Sequence, residues 1–339
     1  MHEDELLDVK KLRISFNTDE GLITPVEDVS FKVGKGKVLG IVGESGSGKS
    51  ISTRALIKLL PDNAVIDPGS QILFTNKCGD IVNVSALTSK DKRLRKIRGG
   101  EIGMIFQEPM ASFSPVYTIG NQITEAILQH CLPKDGSKGR ISKQESKEIA
   151  IDMLNRVGIS KPDLRFNQYP HELSGGMRQR AMIAVALCTS PSLLIADEPT
   201  TALDVTIQAQ ILKLLKELQQ ELGMATIFIS HDMGVIANIA DEVAVMYLGV
   251  IVESGSITAV IKNPLHPYTQ GLLQAIPRID QLGKKLHPIS GNVPGPRERP
   301  RGCPFHPRCS RRSHRRCNGR KIVSNEVNPG HFVRCVHYQ

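Results

Sequence analysis

A run that ends in a lysine and a serine, 43-GESGSGKS-50, follows the apolar stretch KVLGIV, which predicts a buried strand. The spacing Gly43-x-x-x-x-Gly48-Lys49-Ser50 is typical of a phosphate-binding loop, in which backbone N–H groups point at an anion. Glycine lets the backbone curl around phosphate oxygens, Lys49 can reach the terminal phosphates, and Ser50 offers a hydroxyl to Mg²⁺. A Gly/Ser-rich surface turn is the alternative, so this run alone does not establish a nucleotide site.

Two acids, Asp197 and Glu198, follow the apolar run SLLIA. At the carboxyl end of a parallel strand, Asp197 would lie beside the phosphate loop and hold Mg²⁺ through water. Glu198 would point elsewhere, and a carboxylate there can orient and polarise an attacking water. The alternative is a pair of acids in a turn, because Pro199 follows directly.

A third motif, 173-LSGGMRQR-180, predicts the start of a helix. Ser174 is a favourable N-cap residue, and Gly175 and Gly176 leave backbone N–H groups accessible to an anion at the positive end of the helix. A plain N-cap followed by a glycine pair is the alternative interpretation.

The apolar pattern places these motifs on a sheet with helices between its strands. Strands are predicted at 12–16, 26–33, 71–74, 101–106, 192–197, 225–230 and 242–248. One helix is predicted from the phosphate loop to Pro61, and another between 206 and 222. This alternation predicts an α/β fold with a mostly parallel sheet covered on both faces. Helical patterns without a clear strand indicate an inserted helical subdomain at about 108–190.

The composition is that of a globular protein, with 40% hydrophobic residues in 339. The first residues, MHEDELLDVK, lack the basic and apolar segments of a secretory signal, so we expect the chain to stay in the cytosol. The longest nearly apolar run, 243-VAVMYLGVIV-252, has ten residues, about half of the roughly 20 that a membrane helix needs. We therefore do not expect the chain to span a bilayer by itself.

The positive charge is concentrated near the C-terminus. Ten Lys/Arg and one acid lie between Arg297 and Lys321, a net +9, so the remaining 33 basic and 33 acidic residues cancel. A basic tail can be an arm for nucleic acid, an anchor for an anionic membrane surface, or counter-charge for an anionic group held within it.

Taken in order, the motifs resemble those of the nucleotide-binding subunits of ABC transporters. Residues 43–50 resemble Walker A, LSGGMRQR resembles the signature, and LLIADE resembles Walker B with Glu198 as its catalytic glutamate. Gln107 in IFQEP resembles the Q-loop, and His231 in ISHD resembles the switch histidine. The run 201-TALD-204 resembles the D-loop with Asp204.

The resemblance implies an ATPase that uses Mg²⁺, with Glu198, His231 and Gln107 as its catalytic residues. Ser50 and Gln107 are the expected Mg²⁺ ligands. Phe16 lies where this family has an aromatic ring that stacks on adenine, although a place in the core is the alternative. The residues expected to bind ATP are Phe16, Gly43, Glu44, Ser45, Gly46, Ser47, Gly48, Lys49, Ser50 and Asp197.

Two cassettes of this family pack head to tail, so that the signature of one covers ATP on the other. The residues expected to contact the partner's nucleotide are Ser174, Gly175, Gly176 and Gln179. The implied fold is an α/β P-loop NTPase, the ABC cassette with an antiparallel β subdomain, over residues 1–260. An extension with a cysteine-rich end would occupy 261–339.

Three longer segments resemble the ATP-binding subunits of bacterial dipeptide and oligopeptide uptake systems: 104-MIFQEPMASFSPVYTIGNQITEAI-127, YPHELSGGMRQRAMIA and 263-NPLHPYTQGLLQAIP-277. A departure is 112-SFSP-115, where that family usually has Ser-Leu-Asn-Pro, which puts details of coupling to the membrane subunits in doubt. Peptide is the expected solute, and nickel or another small solute is the alternative.

The same resemblance implies four partners: a second, non-identical ATP-binding subunit, two transmembrane permease subunits and an extracytoplasmic substrate-binding protein. The expected location is the cytoplasmic face of the cell membrane, with no nucleic acid bound. A soluble ABC ATPase acting on nucleic acid is a competing interpretation, although the paired cassettes or inserted coiled coil typical of that class are absent from the sequence. A redox sensor whose functional part is the cysteine-bearing tail is a third interpretation.

Four of the seven cysteines lie in the basic tail: Cys303, Cys309, Cys317 and Cys335. Their gaps of five, seven and seventeen residues are wider than those of typical structural zinc sites, and a cytosolic location disfavours disulfides. Similar tails in the permease family that this chain resembles are similar to cluster-binding segments, so a [4Fe–4S] cluster is expected, with its negative charge offset by the arginines. Zn²⁺, with His306 or His337 replacing a cysteine, and unligated thiols are the alternatives.

Overall fold

The computed structural model describes residues 4–108, 112–133, 141–201, 203–276, 289–295, 297–319 and 321–339. Of the segments predicted to carry motifs, 109–111, Ala202 and Pro277 lie outside the described residues.

The strands join into one mixed sheet, in the order β6-β5-β1-β2-β11-β10-β3-β9-β8-β7, with β4 beside β1 and β13 paired to both β11 and β12. Their bounds are β1 (Glu5–Thr18), β2 (Gly21–Gly34), β3 (Val38–Val42), β4 (Ala64–Ile66), β5 (Gln71–Thr75), β6 (Ile81–Asn83), β7 (Ile102–Ile105), β8 (Leu193–Asp197), β9 (Ala225–Ser230), β10 (Glu242–Tyr247), β11 (Val250–Ser256), β12 (Asn325–Asn328) and β13 (His331–Val333).

The centre of this sheet is parallel, since β10, β3, β9, β8 and β7 run in one direction. Alternate residues of β3 enter different cores: Val38 and Val42 pack on one face, Leu39 and Ile41 on the other. Both faces are therefore covered, as the continuous apolar strands predicted. The long strands β1 and β2 pair antiparallel, and β4 and β5 extend this antiparallel part along β1.

The described helices are α1 (Lys49–Ala55), α2 (Lys92–Lys96), α3 (Ile119–His130), α4 (Lys143–Arg156), α5 (Pro162–Phe166), α6 (Gly175–Leu187), α7 (Val205–Leu222), α8 (Met233–Ile239), α9 (Ile257–Lys262), α10 (Pro267–Gln274) and α11 (His314–Cys317). Helices α3 to α6 lie between β7 and β8 in the sequence, and they pack on one another around a shared core. The predicted helix at 206–222 is confirmed as α7.

The predicted helix from the phosphate loop to Pro61 is wrong in its end. Helix α1 stops at Ala55, and Lys58 adopts a left-handed φ of +51°. This turn lets the Lys58 ammonium group donate to the carbonyls of Ser85 and Leu87, across from the helix. The helix therefore ends before the proline, although its local pattern continues to it.

Residues 289–339, here called the cysteine tail, fold back onto the sheet. Strand β13 pairs antiparallel with β11, and His331 bonds to the buried carboxylate of Glu253 at 2.8 Å. Several of the tail's basic residues meet acids of the preceding chain. These pairs are Arg297 with Glu20, Arg299 with Glu27, Arg308 with Glu44, Lys321 with Asp28 and Arg334 with Asp28. The basic tail is thus partly neutralised by contacts within the chain.

Among the described helices, none is long and apolar enough to cross a membrane. The apolar run at 243–252 instead forms most of β10 and the start of β11, which pair antiparallel across a turn at Gly249.

Candidate nucleotide-binding site

The motif residues converge because four parallel strands end side by side. Val42 of β3 is paired with Ser230 of β9, and Asp197 of β8 with Ile229 of β9. Strand β7 lies beside β8 and ends one register position earlier. The segments leaving these strands contain residues 43–50, His231, Glu198 and Gln107.

Two glycines of the phosphate loop are required by its geometry. A Cβ at Gly43 would lie 2.1 Å from the carbonyl oxygen of Met246, which no side chain tolerates. Gly48 has a φ of +95°, in the left-handed region that favours glycine. The loop therefore presses against β10 and turns sharply into α1.

Lys49 lies inside this loop, with a side chain that is only 5% exposed. Its ammonium group donates to the carbonyls of Gly43 and Glu44, at 2.7 and 3.0 Å. Burial lowers the pKa of Lys49, while the charges of Glu198 and Asp197 act in the opposite direction. Glu198 Oε1 lies 3.9 Å from the Lys49 nitrogen. The lysine thus bridges the loop and the Walker B acids.

Ser50 and Asp197 form a paired set of oxygen atoms. The Ser50 hydroxyl donates to Asp197 Oδ1 at 2.7 Å, and Arg54 lies 3.6 Å from Oδ2. Oδ2 is buried and has no hydrogen-bond partner within the described residues. Burial raises the pKa of Asp197. A hard cation would satisfy this carboxylate, so the donor set fits Mg²⁺.

Glu198 gathers several of the remaining predicted residues around its carboxylate. Oε2 accepts from Thr201 at 3.0 Å and from the Gln107 amide at 3.3 Å, and it lies 3.4 Å from His231 Nδ1. The Glu198 backbone has a φ of +48°, an unusual value for a residue with a side chain. The His231 ring is 62% exposed, whereas Glu198 is 13% exposed, so the carboxylate is held under a more open histidine.

We call Lys49, Ser50, Gln107, Asp197, Glu198 and His231 the nucleotide cluster. Beside it lies a cavity of about 610 Å³, lined by Glu44, Ser45, Gln107, Glu198, His231 and residues 291–293. The cluster contains both polar and charged groups at the edge of an open space. This arrangement can hold phosphate groups, a divalent cation and a water molecule.

The signature segment forms the predicted helix start. Ser174 is the N-cap of α6, with its hydroxyl accepting from Met177 N–H at 3.3 Å, and Gly175 opens the helix. Gln179 is buried, and its amide donates to the carbonyl of Pro199. Within this chain Gln179 therefore connects the signature helix to the segment after Walker B, and a contact with a partner's nucleotide stays a prediction.

Two further predicted residues lie outside the cluster. Asp204 is the N-cap of α7, where its carboxylate accepts from Ile207 N–H at 2.9 Å. Phe16, in the antiparallel part of β1, is half-buried and packs against the core that contains Leu39 and Ile41. Its stacking on adenine and the D-loop role of Asp204 remain predictions.

Contacts from the C-terminal region to the phosphate loop were not predicted from the sequence. Tyr268 accepts the N–H of Glu44 at 2.8 Å, and Arg308 pairs with the Glu44 carboxylate. Residues 291–293 also line the cavity. No local pattern marks these residues, because each contact joins positions more than 200 apart in the sequence.

The four tail cysteines are neighbours with free thiols. Burial raises the pKa of Cys303 to about 12, and the other three cysteines contribute to that increase. Cys317 Sγ accepts the backbone N–H of Ser313 at 3.4 Å. Among the described residues, however, no group of three or more His, Cys, Asp or Glu side chains is arranged to hold a metal ion. The [4Fe–4S] cluster and the alternative zinc site stay predictions.

A family model described as ABC transporter matches residues 26–201, more than half of the chain. The chain belongs to the ABC transporter family. A second model, the C-terminal region of oligopeptide/dipeptide transporters, matches residues 252–317 of this ABC cassette protein. The family predicted from the order of the motifs is therefore confirmed.

Relatives of this ABC protein match along nearly its whole length. It is 48% identical to a putative peptide import ATP-binding protein of Brucella melitensis, covering 100% of this chain and 99% of the relative. It is 45% identical to a dipeptide transport ATP-binding protein of Bacillus subtilis, covering 98% and 92%.

Solved structures support the ABC cassette fold. A dimeric ATP-binding cassette in a post-hydrolysis state, bound to ADP and phosphate, is similar with a TM-score of 0.62 and 25% identity, covering 74% of this chain and 99% of that one. A subunit of an ABC transporter complex from Clostridium perfringens is similar with a TM-score of 0.60 and 27% identity, covering 77% and 92%.

Proposed function

We propose that this chain hydrolyses ATP to power peptide uptake through a membrane permease. The ATPase class follows from its membership of the ABC family. The observation that carries the proposal is the meeting of Lys49, Asp197 and Glu198 at the ends of neighbouring strands, beside the 610 Å³ cavity. Peptide as the solute is supported by the relatives, which are named for peptide import and dipeptide transport.

Three residues of the nucleotide cluster would hold the triphosphate and its metal. Lys49 would exchange its bonds to the loop carbonyls for contacts with the terminal phosphates. The Ser50 hydroxyl and Asp197 would hold Mg²⁺, directly or through water, since the buried Oδ2 of Asp197 is free to accept such a contact. A Mg²⁺ ion held by these residues would supply positive charge that offsets the negative charge of the phosphates.

Glu198 would position the attacking water and accept its proton. Its carboxylate lies at the cavity edge, and bonds from Thr201 and Gln107 orient it. Its left-handed backbone conformation supports a functional role, because such strain persists where the surroundings over-determine it. His231, exposed beside Glu198, would contact the terminal phosphate and respond to its loss.

The assembly that we propose follows the family. A second, non-identical ATP-binding subunit would place its signature on this Walker A, while Ser174, Gly175 and Gly176 serve the partner's nucleotide. The N-terminus of α6 offers free N–H groups and a positive dipole for that contact. Two permease subunits and an extracytoplasmic binding protein would complete the importer, with this chain on the cytoplasmic face.

Glu198→Gln tests the catalytic assignment, because it keeps the shape of the side chain and removes its charge. ATP turnover of the assembled transporter should fall about 100-fold or more, while ATP binding is retained. Glu217→Gln, at an exposed glutamate in an ion pair with Lys213, is the matched control and should leave turnover unchanged. Near wild-type turnover in the Glu198 variant would remove Glu198 from the catalytic role.

We further propose that the four tail cysteines bind an iron–sulfur cluster of structural function. This proposal is supported by four free thiols in a tail with few regular elements, where Cys317 Sγ accepts the backbone N–H of Ser313. Anaerobically purified protein should be brown and contain about four irons per chain. About one zinc per chain without visible colour would instead support a zinc site.

A further inference from the structure

Glu44 of the phosphate loop is held by two residues of the C-terminal region, Tyr268 and Arg308. Its N–H donates to the hydroxyl of Tyr268 at 2.8 Å, its carbonyl accepts from Lys49, and its carboxylate receives both terminal nitrogens of Arg308, at 2.6 and 3.0 Å. Glu44 is therefore held at its backbone and at its side chain. Two of its three anchors come from beyond residue 260.

Arg308 is itself fixed by its surroundings, with a side chain only 5% exposed. Its guanidinium group also donates to the carbonyls of Ser290 and Ile289, at 3.1 and 3.3 Å. The rings of Tyr247 and Phe305 lie under it, at 5.8 and 5.9 Å. A planar fork held on so many sides presents its two N–H groups to Glu44 in one orientation.

The charge of Glu44 matters because of where its side chain lies. Glu44 and Glu198 line the same cavity, in which we propose that the terminal phosphates bind. Without Arg308, the Glu44 carboxylate would repel those phosphates and could leave its present position. With Arg308, the charge is neutralised and the first turn of the loop is held in place.

We propose that Arg308 is a positioning residue for ATP binding: it acts through Glu44 to hold the phosphate loop and to neutralise the negative charge beside the phosphates. This inference rests on the proposed ATPase function. The C-terminal region then contributes directly to nucleotide affinity, although Arg308 itself lies on a short turn between Cys303 and Cys309.

The test is a set of equilibrium titrations with a fluorescent N-methylanthraniloyl ATP and Mg²⁺, on the full chain in its assembled transporter. Arg308→Ala should weaken binding about tenfold, since it removes a bidentate charge-assisted pair. Its KM for ATP should rise while kcat changes little. Arg315→Ala, at an exposed arginine of the same tail, is the matched control and should bind as wild type.

The double variant Glu44→Gln/Arg308→Ala separates this inference from general damage to the tail. Because the glutamine has no charge to neutralise, the double variant should recover most of the affinity that Arg308→Ala loses. If Arg308→Ala binds as wild type, or if the double variant stays as weak as Arg308→Ala, the inference is wrong.

Arg308→Lys preserves the charge without the planar fork, so its affinity for the fluorescent ATP should lie between those of wild type and Arg308→Ala. An affinity as low as that of Arg308→Ala would contradict charge neutralisation. Failure of the wild-type protein to bind the probe would overturn the proposed function together with this inference. Normal wild-type binding with an unaffected Arg308→Ala variant would overturn only the inference.

Discussion

The nucleotide cluster and the cysteine tail meet at Glu44, but they are held in place differently. The cluster stands on the ends of β3, β7, β8 and β9, whose hydrogen-bonded register positions the segments that follow. The tail has two short described strands, which join the sheet through β11, and it is further held by ion pairs and aromatic contacts. The cluster therefore takes its geometry from the ends of long-range sheet strands, whereas the tail depends on short strand pairings and on individual side chains.

The largest expected effect is a loss of ATP binding at the nucleotide cluster. Lys49→Ala removes a buried cation from the phosphate site and should weaken ATP binding about 100-fold. Since the sheet carries the backbone, the fold of the cassette should survive. Equilibrium binding of Mg·ATP measures the loss, and Lys213→Ala, at an exposed lysine, is the control.

His231→Ala should affect turnover rather than ATP binding, because this exposed side chain lies beside Glu198 and not inside the loop. Its ATP affinity should stay within about threefold of wild type while turnover falls at least about tenfold. If affinity collapsed in the histidine variant and survived in the lysine variant, the two roles would have to be exchanged.

A smaller effect is expected where the tail joins the sheet. His331→Ala leaves the Glu253 carboxylate buried, and its remaining partners within the described residues are the N–H groups of Leu265 and His266. Opening of β13 should become easier by about 2 kcal/mol, because a buried polar group loses a partner. Hydrogen exchange of peptides covering 325–336 measures this change.

The control for this variant is His337→Ala, at an exposed histidine that bonds to the carbonyl of Arg311. It should leave the protection of β13 nearly unchanged. Equal loss of protection in both variants would mean that the buried pair does not anchor the strand.

The smallest effect is expected for Arg334→Ala, whose guanidinium group lies 3.3 Å from Asp28 near the surface. Such a partly solvated pair contributes about 1 kcal/mol or less, and salt weakens it. The same exchange measurement, repeated at low and high salt, should show a loss below that of His331→Ala. A larger loss for Arg334→Ala would reverse the order of the tail's anchors.

The elements of the cluster could be predicted because their signals are local. Continuous apolar runs ending in small or acidic residues identified β3, β8 and β9, and Ser174 identified the start of α6. The end of α1 could not be predicted in this way, since Lys58 turns the chain to reach distant carbonyls. The burial of Gln179 against Pro199 was missed for the same reason.

By itself, the sequence determined the family, the fold class and the identity of the phosphate loop, because glycine, lysine and acid positions at strand ends follow from short-range backbone requirements. Only the tertiary structure decided that the C-terminal region reaches back to Glu44 and that the basic tail meets acids of the cassette. The physical reason is that these contacts join residues 264 or more positions apart, as in Arg308 with Glu44, and their geometry depends on how the whole sheet is assembled.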